Sequence, residues 1–269
     1  MSWWLVSFAR GGPARYISHL DTMRVVQRTF ARAGIELALS QGMRPKPRLS
    51  LPLPLPTGAV GLDELAVVEV AELTPVGCEG ARLQALRAAA ADGLSFERLV
   101  VIGERPRPQA SAAAYQCRLK APCDAVREAL LGFAAEPRVS VVRESPKGRR
   151  AIELKEYVGE LSASPCDTDT RLAFTLRYGP GGSARVDEVV AALAARLEIE
   201  PVVLDLTRVC VTWKGLPSNG LPPRSSAVTD EIAPGGLSPR AKEMTCSDRA
   251  TKAPHEGAEH VPSGRSARQ

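Results

Sequence analysis

The sequence is short of aromatic residues and histidines, and it has no long apolar run. Aromatic residues make up 4% of the 269 positions and there are three histidines, so any core must consist mainly of aliphatic side chains. No stretch approaches the roughly 18 consecutive apolar residues of a membrane-spanning helix. Arg10 and two glycines interrupt the apolar start of the chain, which disfavours a secretory signal. We therefore expect a cytoplasmic protein without membrane segments.

The six cysteines lack the spacings of common metal centres. None forms a C-x-x-C pair, and Cys117 and Cys123 are too far apart for a typical zinc site. The C-x3-C-x2-C pattern of an iron–sulfur radical enzyme is also missing. Cysteines of a cytosolic chain normally stay reduced. The sequence thus predicts neither a metal nor another cofactor.

Hydrophobic periodicity predicts an α+β domain over residues 1–103. Ser18 and Asp21 are typical of a helix start and Gly34 of a helix stop, with apolar residues from Leu20 to Phe30 on one stripe between them. The predicted elements are a strand at 3–9, a helix at 19–33, strands at 35–40 and 65–73, a helix at 80–91 and a strand at 95–102. This β-α-β-β-α-β order is that of the ferredoxin-like fold.

A related order recurs after a polar segment at 103–113, which is predicted to be a linker. Strands are predicted at 115–119, 138–144, 150–155, 171–178 and 202–213, and helices at 124–134 and 186–197. We therefore predict two tandem ferredoxin-like domains, 1–103 and 114–215, with the second interpreted as a divergent repeat from element order alone. Residues 216–269 are rich in proline, glycine and serine, contain no aromatic residue, and are predicted to be a disordered tail.

Positive charge is concentrated near the N-terminus. Residues 1–56 carry eight Lys/Arg and two Asp/Glu, a balance of +6, whereas the whole chain is +5. Arg24, Arg28 and Arg32 are spaced to lie on one helix face, which we call the arginine stripe. The loop residues Ser40 and Gly42 and five further cations are predicted to flank it: Arg10, Arg15, Arg44, Lys46 and Arg48. Clustered arginines suit phosphate binding. A nucleic-acid interface and an ordinary solvated helix face both remain open.

His19 stands at the predicted first position of the helix, between Ser18 and Asp21. An imidazole near several arginines could act as a general base on a hydroxyl group. The alternative is a capped helix in which His19 makes only a local hydrogen bond. Because no nucleophile or second base is identifiable beside it, the catalytic constellation is incomplete and enzymatic activity stays an open question.

Two further basic segments lie in the second predicted domain. Ser183 and Arg185 close a glycine-rich loop directly before the predicted helix at 186, where backbone amides could hold an anion. A plain strand-to-helix turn fits this loop equally well, and the loop does not match the phosphate-binding pattern G-x-x-x-x-G-K-[ST]. The run from Lys147 to Arg150 is interpreted as a basic hairpin turn.

One set of motifs resembles a known family. It comprises Arg15-Tyr16-Ile17-Ser18-His19-Leu20-Asp21 with Arg24 and Arg28, then Ser40-Gln41-Gly42, Pro45, Pro47, Leu53-Pro54 and Gly58. These residues resemble the radical SAM-linked protein family, also called the DUF2344 domain. Softer similarities reach residue 214: Lys155-Glu156-Tyr157, Gly182-Ser183-Ala184-Arg185 and Thr207-Arg208. The resemblance implies a radical S-adenosylmethionine (SAM) enzyme as a partner, since the family is named for such an association.

The chain departs from the family pattern in the loop after the first helix. The family usually has Phe after the loop glycine and Asn and His around the first proline, whereas this chain has Met43, Arg44 and Lys46. A cation in place of the loop histidine favours binding over catalysis.

Three functions are compatible with the sequence. The first is an accessory protein that binds RNA, or another phosphate-bearing substrate, for a radical SAM partner; such binding should weaken with salt. The second is a metal-independent RNA-processing enzyme that depends on His19. The third is a scaffold whose basic face docks an acidic protein, which charge alone does not separate from the first.

Overall fold

The described residues of the N-terminal half of the fold form four strands and two helices. The protein is described here by a computed structural model that covers residues 2–75, 77–146, 148–197, 202–217 and 221. The elements of this half are β1 (Ser2–Arg10), α1 (His19–Arg32), β2 (Leu49–Ser50), β3 (Val60–Val70), α2 (Glu79–Ala89) and β4 (Leu94–Ile102). A 3-10 turn over Gly12–Tyr16 leads from β1 into α1.

The C-terminal half contains six strands and three helices among the described residues. They are β5 (Gln109–Lys120), α3 (Cys123–Ala135), β6 (Ser140–Ser145), β7 (Gly148–Glu153), α4 (Leu154–Tyr157), β8 (Val158–Cys166), β9 (Asp169–Arg177), α5 (Val186–Ala194) and β10 (Val202–Lys214). Strands β6 and β7 form a separate two-stranded hairpin. The predicted α+β class is therefore confirmed.

A single large sheet runs through both halves in the order β4-β1-β3-β10-β5-β9-β8, with β2 paired to β3. All neighbouring strands are antiparallel except β3 and β10. The order is β4-β1-β3-β2 in the N-terminal half and β10-β5-β9-β8 in the C-terminal half. The halves meet at two parallel pairs, Thr207 with Val60 and Arg208 with Gly61.

Strands β1 and β3 are covered on both faces, which explains why their sequences lack a regular polar alternation. On one face Trp4 and Phe8 pack with Val26 and Phe30 of α1. On the opposite face the buried residues are Leu5, Leu65, Val67 and Ile102, with Trp213, Leu216 and Leu221 packed against them. Full burial of one such side chain contributes about 1.5–3 kcal/mol to folding stability. The buried side chains therefore stabilise the central part of the sheet, against which α1 packs.

Helix α1 begins and ends close to the predicted residues. The Ser18 hydroxyl accepts a hydrogen bond from the backbone N–H of Asp21, as its position predicts. Gly34 has a φ of +69°, a backbone conformation that glycine adopts without steric cost and that ends the helix. The predicted apolar stripe is wrong at Leu20, which is 62% exposed.

Three other predictions about secondary structure are wrong in detail. The strand expected at 35–40 is reduced to single bridges at Leu37 and Leu39, because the backbone leaves the sheet in a loop and returns only at β2. The expected linker at 103–113 overlaps the start of β5. Strand β8 was not predicted, since this edge strand is half-exposed and contains serine, glycine and proline in place of an apolar pattern.

The described residues all fall within one compact unit. The predicted domain boundaries at 103 and 114 stay predictions. The predicted tail lies outside the described residues, apart from 216, 217 and 221. None of the helices in the described part of the chain combines the length and the apolar character that crossing a membrane requires.

Candidate functional site

The first turn of α1 places a small polar network at the protein surface. The Ser18 hydroxyl donates to Asp21 Oδ2 at 2.7 Å, and Arg24 donates to Asp21 Oδ1 at 2.7 Å. These hydrogen bonds, first from Ser18 and then from Arg24, lower the pKa of Asp21. Asp21 is therefore ionised at neutral pH and partly neutralises Arg24.

The rest of the arginine stripe is exposed. Arg28 and Arg32 face solvent, and no acidic residue in the described part of the chain forms an ion pair with either of them. His19 and the buried Thr22 lie instead on the side of α1 that faces the sheet, with Val26 and Phe30. The structure therefore separates His19 from the stripe by the width of the helix.

The loop after α1 presents two of its three predicted cations to solvent. It is closed by hydrogen bonds from the Ser40 N–H to the Lys46 carbonyl and from the Lys46 N–H to the Ser40 hydroxyl. Between them Gly42 turns the chain with a φ of +128°. Arg44 and Lys46 are exposed. Arg48 differs, because it is half-buried and donates to Glu69 Oε2 at 2.6 Å, so its charge is already compensated.

Arg10 was expected among the loop cations, and this expectation is wrong. It is the last residue of β1 and is 1% exposed. Its guanidinium donates to Thr22 Oγ1 and to the Pro56 carbonyl, both at 2.9 Å, while Nε has no hydrogen-bond partner among the described residues. Burial lowers the pKa of Arg10, although nearby Glu64 opposes that shift.

A second buried arginine joins the two halves of the fold. Arg208 of β10 is 1% exposed and forms a two-pronged ion pair with Glu64 of β3, with Nε donating to Oε1 at 2.9 Å. It also donates to the carbonyls of Leu53 and Pro54. This contact fixes the segment of residues 51–56, which we call the Leu-Pro segment, over the junction of β3 and β10.

These buried groups border a narrow crevice of about 10 Å³ at the start of α1, which we call the α1 crevice. His19 lines it together with Arg10, Thr22, Glu64, Leu53 and further apolar side chains. The sequence analysis included Arg10 only as a loop cation, and it missed Glu64 because that residue occupies an ordinary strand position. The sequence signals for this place were His19 and, within the family resemblance, the runs Leu53-Pro54 and Thr207-Arg208.

Arg15 lies in the 3-10 turn just before α1. Its guanidinium stacks on the exposed Tyr16 ring, 4.9 Å from the ring centre, and its Nε is buried without a hydrogen-bond partner among the described residues. The carbonyl of Arg15 accepts a hydrogen bond from Gly58. The turn is therefore held against the chain that follows the Leu-Pro segment.

The glycine-rich loop before α5 is a separate site. Arg143 donates to the Ser183 carbonyl and to both carboxylate oxygens of Glu188, and the Arg185 N–H donates to Glu188 Oε2 at 2.8 Å. A carboxylate of the chain itself thus already occupies the start of α5. The side chain of Arg185 is exposed. In the expected basic turn, Arg150 donates to the Gly181 carbonyl, and Lys147 lies outside the described residues.

The described residues contain no group of three or more His, Cys, Asp or Glu side chains that is arranged to hold a metal ion. The arrangement at α1 offers exposed cations, a buried guanidinium and an imidazole. Such a set can bind an anion, with charge-assisted hydrogen bonds as the main source of affinity.

Comparisons with known proteins place the chain in a family and say little more. A family model described as an uncharacterized protein conserved in bacteria, DUF2344, matches residues 4–186. No curated protein matches the chain.

Two solved structures are similar to parts of the chain. One belongs to a Cbf5-Nop10-Gar1 complex, with a TM-score of 0.46, 12% identity and coverage of 77% of this chain; this chain spans about half of that one, 48%. The other is a putative glycine cleavage system transcriptional repressor, with a TM-score of 0.22, 10% identity and coverage of 77% of this chain and 98% of that one. At these scores neither similarity supports a functional argument.

Proposed function

We propose that this chain, which belongs to the DUF2344 family of uncharacterized bacterial proteins, is an accessory protein that holds RNA or another phosphate-bearing substrate for a radical SAM partner enzyme. The partner is proposed from the resemblance that gives the family its other description, the radical SAM-linked proteins. The binding role is proposed from the basic surface around α1.

One observation supports the binding role above others. Four cations around α1 are exposed and form no ion pair with a described acidic residue: Arg28, Arg32, Arg44 and Lys46. The acidic residues of β3 in the same half are buried, and each pairs with an arginine: Asp63, Glu64 and Glu69. The negative charge of β3 is thereby compensated inside the protein, while these four cations stay on the surface, an arrangement that favours binding of a nucleic acid.

The support of α1 is also relevant to binding. Val26 and Phe30 anchor the helix in the core, and Thr22 is tied to Arg10 of β1. A helix fixed in this way holds the backbone positions of its arginines in one arrangement, so its backbone loses little conformational entropy when a ligand binds.

The experiment is purification at low salt, followed by sequencing of any bound nucleic acid and by binding titrations at several salt concentrations. The test variant reverses the arginine stripe: Arg24→Glu, Arg28→Glu and Arg32→Glu. The matched control reverses three exposed cations of the C-terminal half: Lys120→Glu, Arg127→Glu and Arg149→Glu. Both variants change the net charge by the same amount.

We expect the stripe variant to lose most of its affinity for single-stranded RNA. The slope of log affinity against log salt should fall by about 2 if three phosphate contacts disappear, and the control should behave like the unchanged protein. If both variants lost the same amount of RNA affinity, binding would depend on net charge alone, which would contradict a defined interface. Clean protein without nucleic acid would shift the proposal to the scaffold role, tested by pull-down with the radical SAM partner.

A His19-dependent RNA-processing enzyme is the second candidate. It is supported by the position of His19 at the edge of the α1 crevice, close to the buried Arg10, where an imidazole could take a proton from a ribose hydroxyl and the guanidinium could face a phosphate. The test is incubation of the purified chain with RNA in the presence of a chelator. Cleavage that is lost in His19→Ala would support it, and undiminished cleavage in that variant would exclude His19.

We also infer that the two halves are ferredoxin-like units that share one sheet. The inference is supported by the common strand order, β4-β1-β3-β2 and β10-β5-β9-β8. In each half a helix follows the first strand and another precedes the fourth.

A further inference from the structure

We propose that the α1 crevice receives one oxygen of a phosphomonoester, so that this protein recognises RNA at a phosphorylated end. The inference rests on the proposed function only in naming RNA as the molecule that carries the phosphate. The crevice could equally be filled by free phosphate, and the test below separates the two sources.

The charges inside the protein favour an anion at this place. Three charged side chains meet below the Leu-Pro segment: Arg10, Arg208 and Glu64. Both oxygens of Glu64 accept hydrogen bonds from Arg208. Arg10 has no carboxylate of its own, and a buried charge without a full counter-charge is costly. A bound anion would supply that counter-charge.

The hydrogen bonds of Arg10 show where the anion would bind. Its two terminal nitrogens are occupied by Thr22 and Pro56, but Nε is buried without a partner among the described residues. Buried donors normally have an acceptor, and the side chain of Arg10 lines the crevice. The volume of about 10 Å³ is at the lower end of the roughly 10–15 Å³ that one water needs, so the crevice takes one oxygen atom and no larger group.

The crevice is open to the outside on one side. Among its lining residues Phe8, Thr22 and Leu55 are buried, whereas His19, Leu51 and Leu53 are partly exposed. The entrance therefore lies between the start of α1 and the Leu-Pro segment. One phosphate oxygen would accept a hydrogen bond from Arg10 Nε after a small movement of the side chains that cover this atom, and the remaining oxygens would stay at the entrance beside the imidazole of His19.

The crevice and the arginine stripe should contribute independently to binding. His19 and Thr22 lie on the sheet-facing side of α1, whereas Arg24, Arg28 and Arg32 lie on its solvent side. The stripe would bind phosphodiesters of any RNA, and the crevice would select a terminal phosphate. A phosphodiester should bind less tightly there, because it carries one negative charge and two nucleosides that crowd its two free oxygens, whereas a terminal phosphomonoester has three free oxygens and a charge of about −1.5 to −2 at pH 7.

The test uses the full chain and one single-stranded oligoribonucleotide in three forms, with a 5′-phosphate, with a 3′-phosphate and with hydroxyls at both ends. Affinities are measured by fluorescence anisotropy, and inorganic phosphate is titrated by calorimetry at constant ionic strength. We expect at least one phosphorylated form to bind about tenfold more tightly than the hydroxyl form. This is the gain expected when a buried charged group forms an additional hydrogen bond.

Two variants test the residues involved. His19→Ala changes the entrance and leaves Arg10 in place, and Arg10→Lys keeps the charge but removes Nε. Both should abolish the preference for the phosphorylated end. If Arg10→Lys does not fold, as circular dichroism would show, His19→Ala alone decides. The stripe variant should weaken binding of all three oligonucleotides equally and keep their ratio.

Each outcome has a defined meaning. Equal affinity for all three oligonucleotides, with no heat from inorganic phosphate, overturns the inference, and a water molecule then fills the crevice. Loss of the preference in the stripe variant rather than in His19→Ala also overturns it. Binding of inorganic phosphate that depends on His19, without any RNA binding, supports the crevice as a phosphate site and rejects the proposed RNA function.

Discussion

The ion pair between Arg208 and Glu64 joins residues that are 144 positions apart in the chain. Both side chains are buried, so the desolvation of each is compensated mainly by the other and by the carbonyls of Leu53 and Pro54. At the scale of single residues, this contact joins β10 of the C-terminal half to β3 of the N-terminal half.

We predict that Glu64→Gln destabilises the protein by about 3–5 kcal/mol, because it leaves Arg208 and Arg10 buried without a carboxylate. Urea denaturation measures the change. The control is Glu144→Gln, which breaks an exposed ion pair with Arg149 and should have no measurable effect. Comparable stability of the two variants would contradict the importance assigned to the buried pair.

The carboxylate of Glu188 gives the protein part of its acid sensitivity. Burial raises the pKa of Glu188, but the hydrogen bonds from Arg143 and from the Arg185 backbone outweigh burial and lower it below its ordinary value of 4.5. Because the pKa is lower in the folded state, the stabilisation is complete above about pH 5 and disappears as the pH falls through the folded pKa.

We therefore expect Glu188→Gln to melt at a lower temperature than the unchanged protein at pH 7, with the difference shrinking towards pH 3. Thermal melting at a series of pH values measures this. A difference that stays constant over the whole range would show that the side-chain charge has no part in the stabilisation.

At the scale of elements, local sequence sets the ends of α1, and tertiary contacts set its orientation. Its start is fixed by the Ser18 cap and its end by Gly34, both of which can be identified in the sequence. Its orientation is fixed by Val26, Phe30 and the hydrogen bond from Arg10 to Thr22. Only the second set decides that His19 faces the sheet and the arginine stripe faces solvent.

The cap can be tested by itself. Ser18→Ala should destabilise the protein by about 1 kcal/mol, since it removes the acceptor for the Asp21 N–H. Ser18→Thr keeps a hydroxyl group, so this variant should lose much less stability. Urea denaturation of both variants measures the effect, and equal losses would mean that packing rather than the cap controls this position.

The elements that were mispredicted have a common cause. The segment 35–40 bridges only at single residues, to Val70 and to Pro47, and strand β8 pairs with β9, which follows it directly through a tight turn. Both depend on a partner that their own residues do not specify. Local pattern indicates whether a segment can form a strand, and not which partner is available to it. The buried, apolar strands β1 and β3 were predicted for that reason, although β3 covers Val60–Val70 rather than the predicted 65–73.

At the scale of the whole molecule, the two halves share a sheet and the side opposite α1 needs a cover. Trp213, Leu216 and Leu221 pack against Leu5 and Leu65 on that side. Leu216 and Leu221 follow β10, within the segment that the sequence assigns to the tail. The start of this segment therefore contributes to the core.

We expect a chain that ends at residue 215 to fold but to lose about 1–3 kcal/mol of stability, because the apolar side chains under Leu216 and Leu221 become exposed. A chain that ends at residue 221 keeps both leucines and should retain this stability. Thermal melting and urea denaturation of both chains provide the test. Identical stability of the two would show that Leu216 and Leu221 contribute no useful packing.

The sequence by itself determined the α+β class, the ends of α1, most of the helices and buried strands, and the excess of positive charge in residues 1–56. These properties follow from local composition and periodicity, which act over a few residues. The tertiary structure decided which of those charges are free. It buried Arg10, paired Arg48 with Glu69 and Arg208 with Glu64, and left Arg28, Arg32, Arg44 and Lys46 exposed. Burial and pairing depend on residues far apart in the chain, and for this reason only the folded molecule separates the cations that support its structure from those that can bind a ligand.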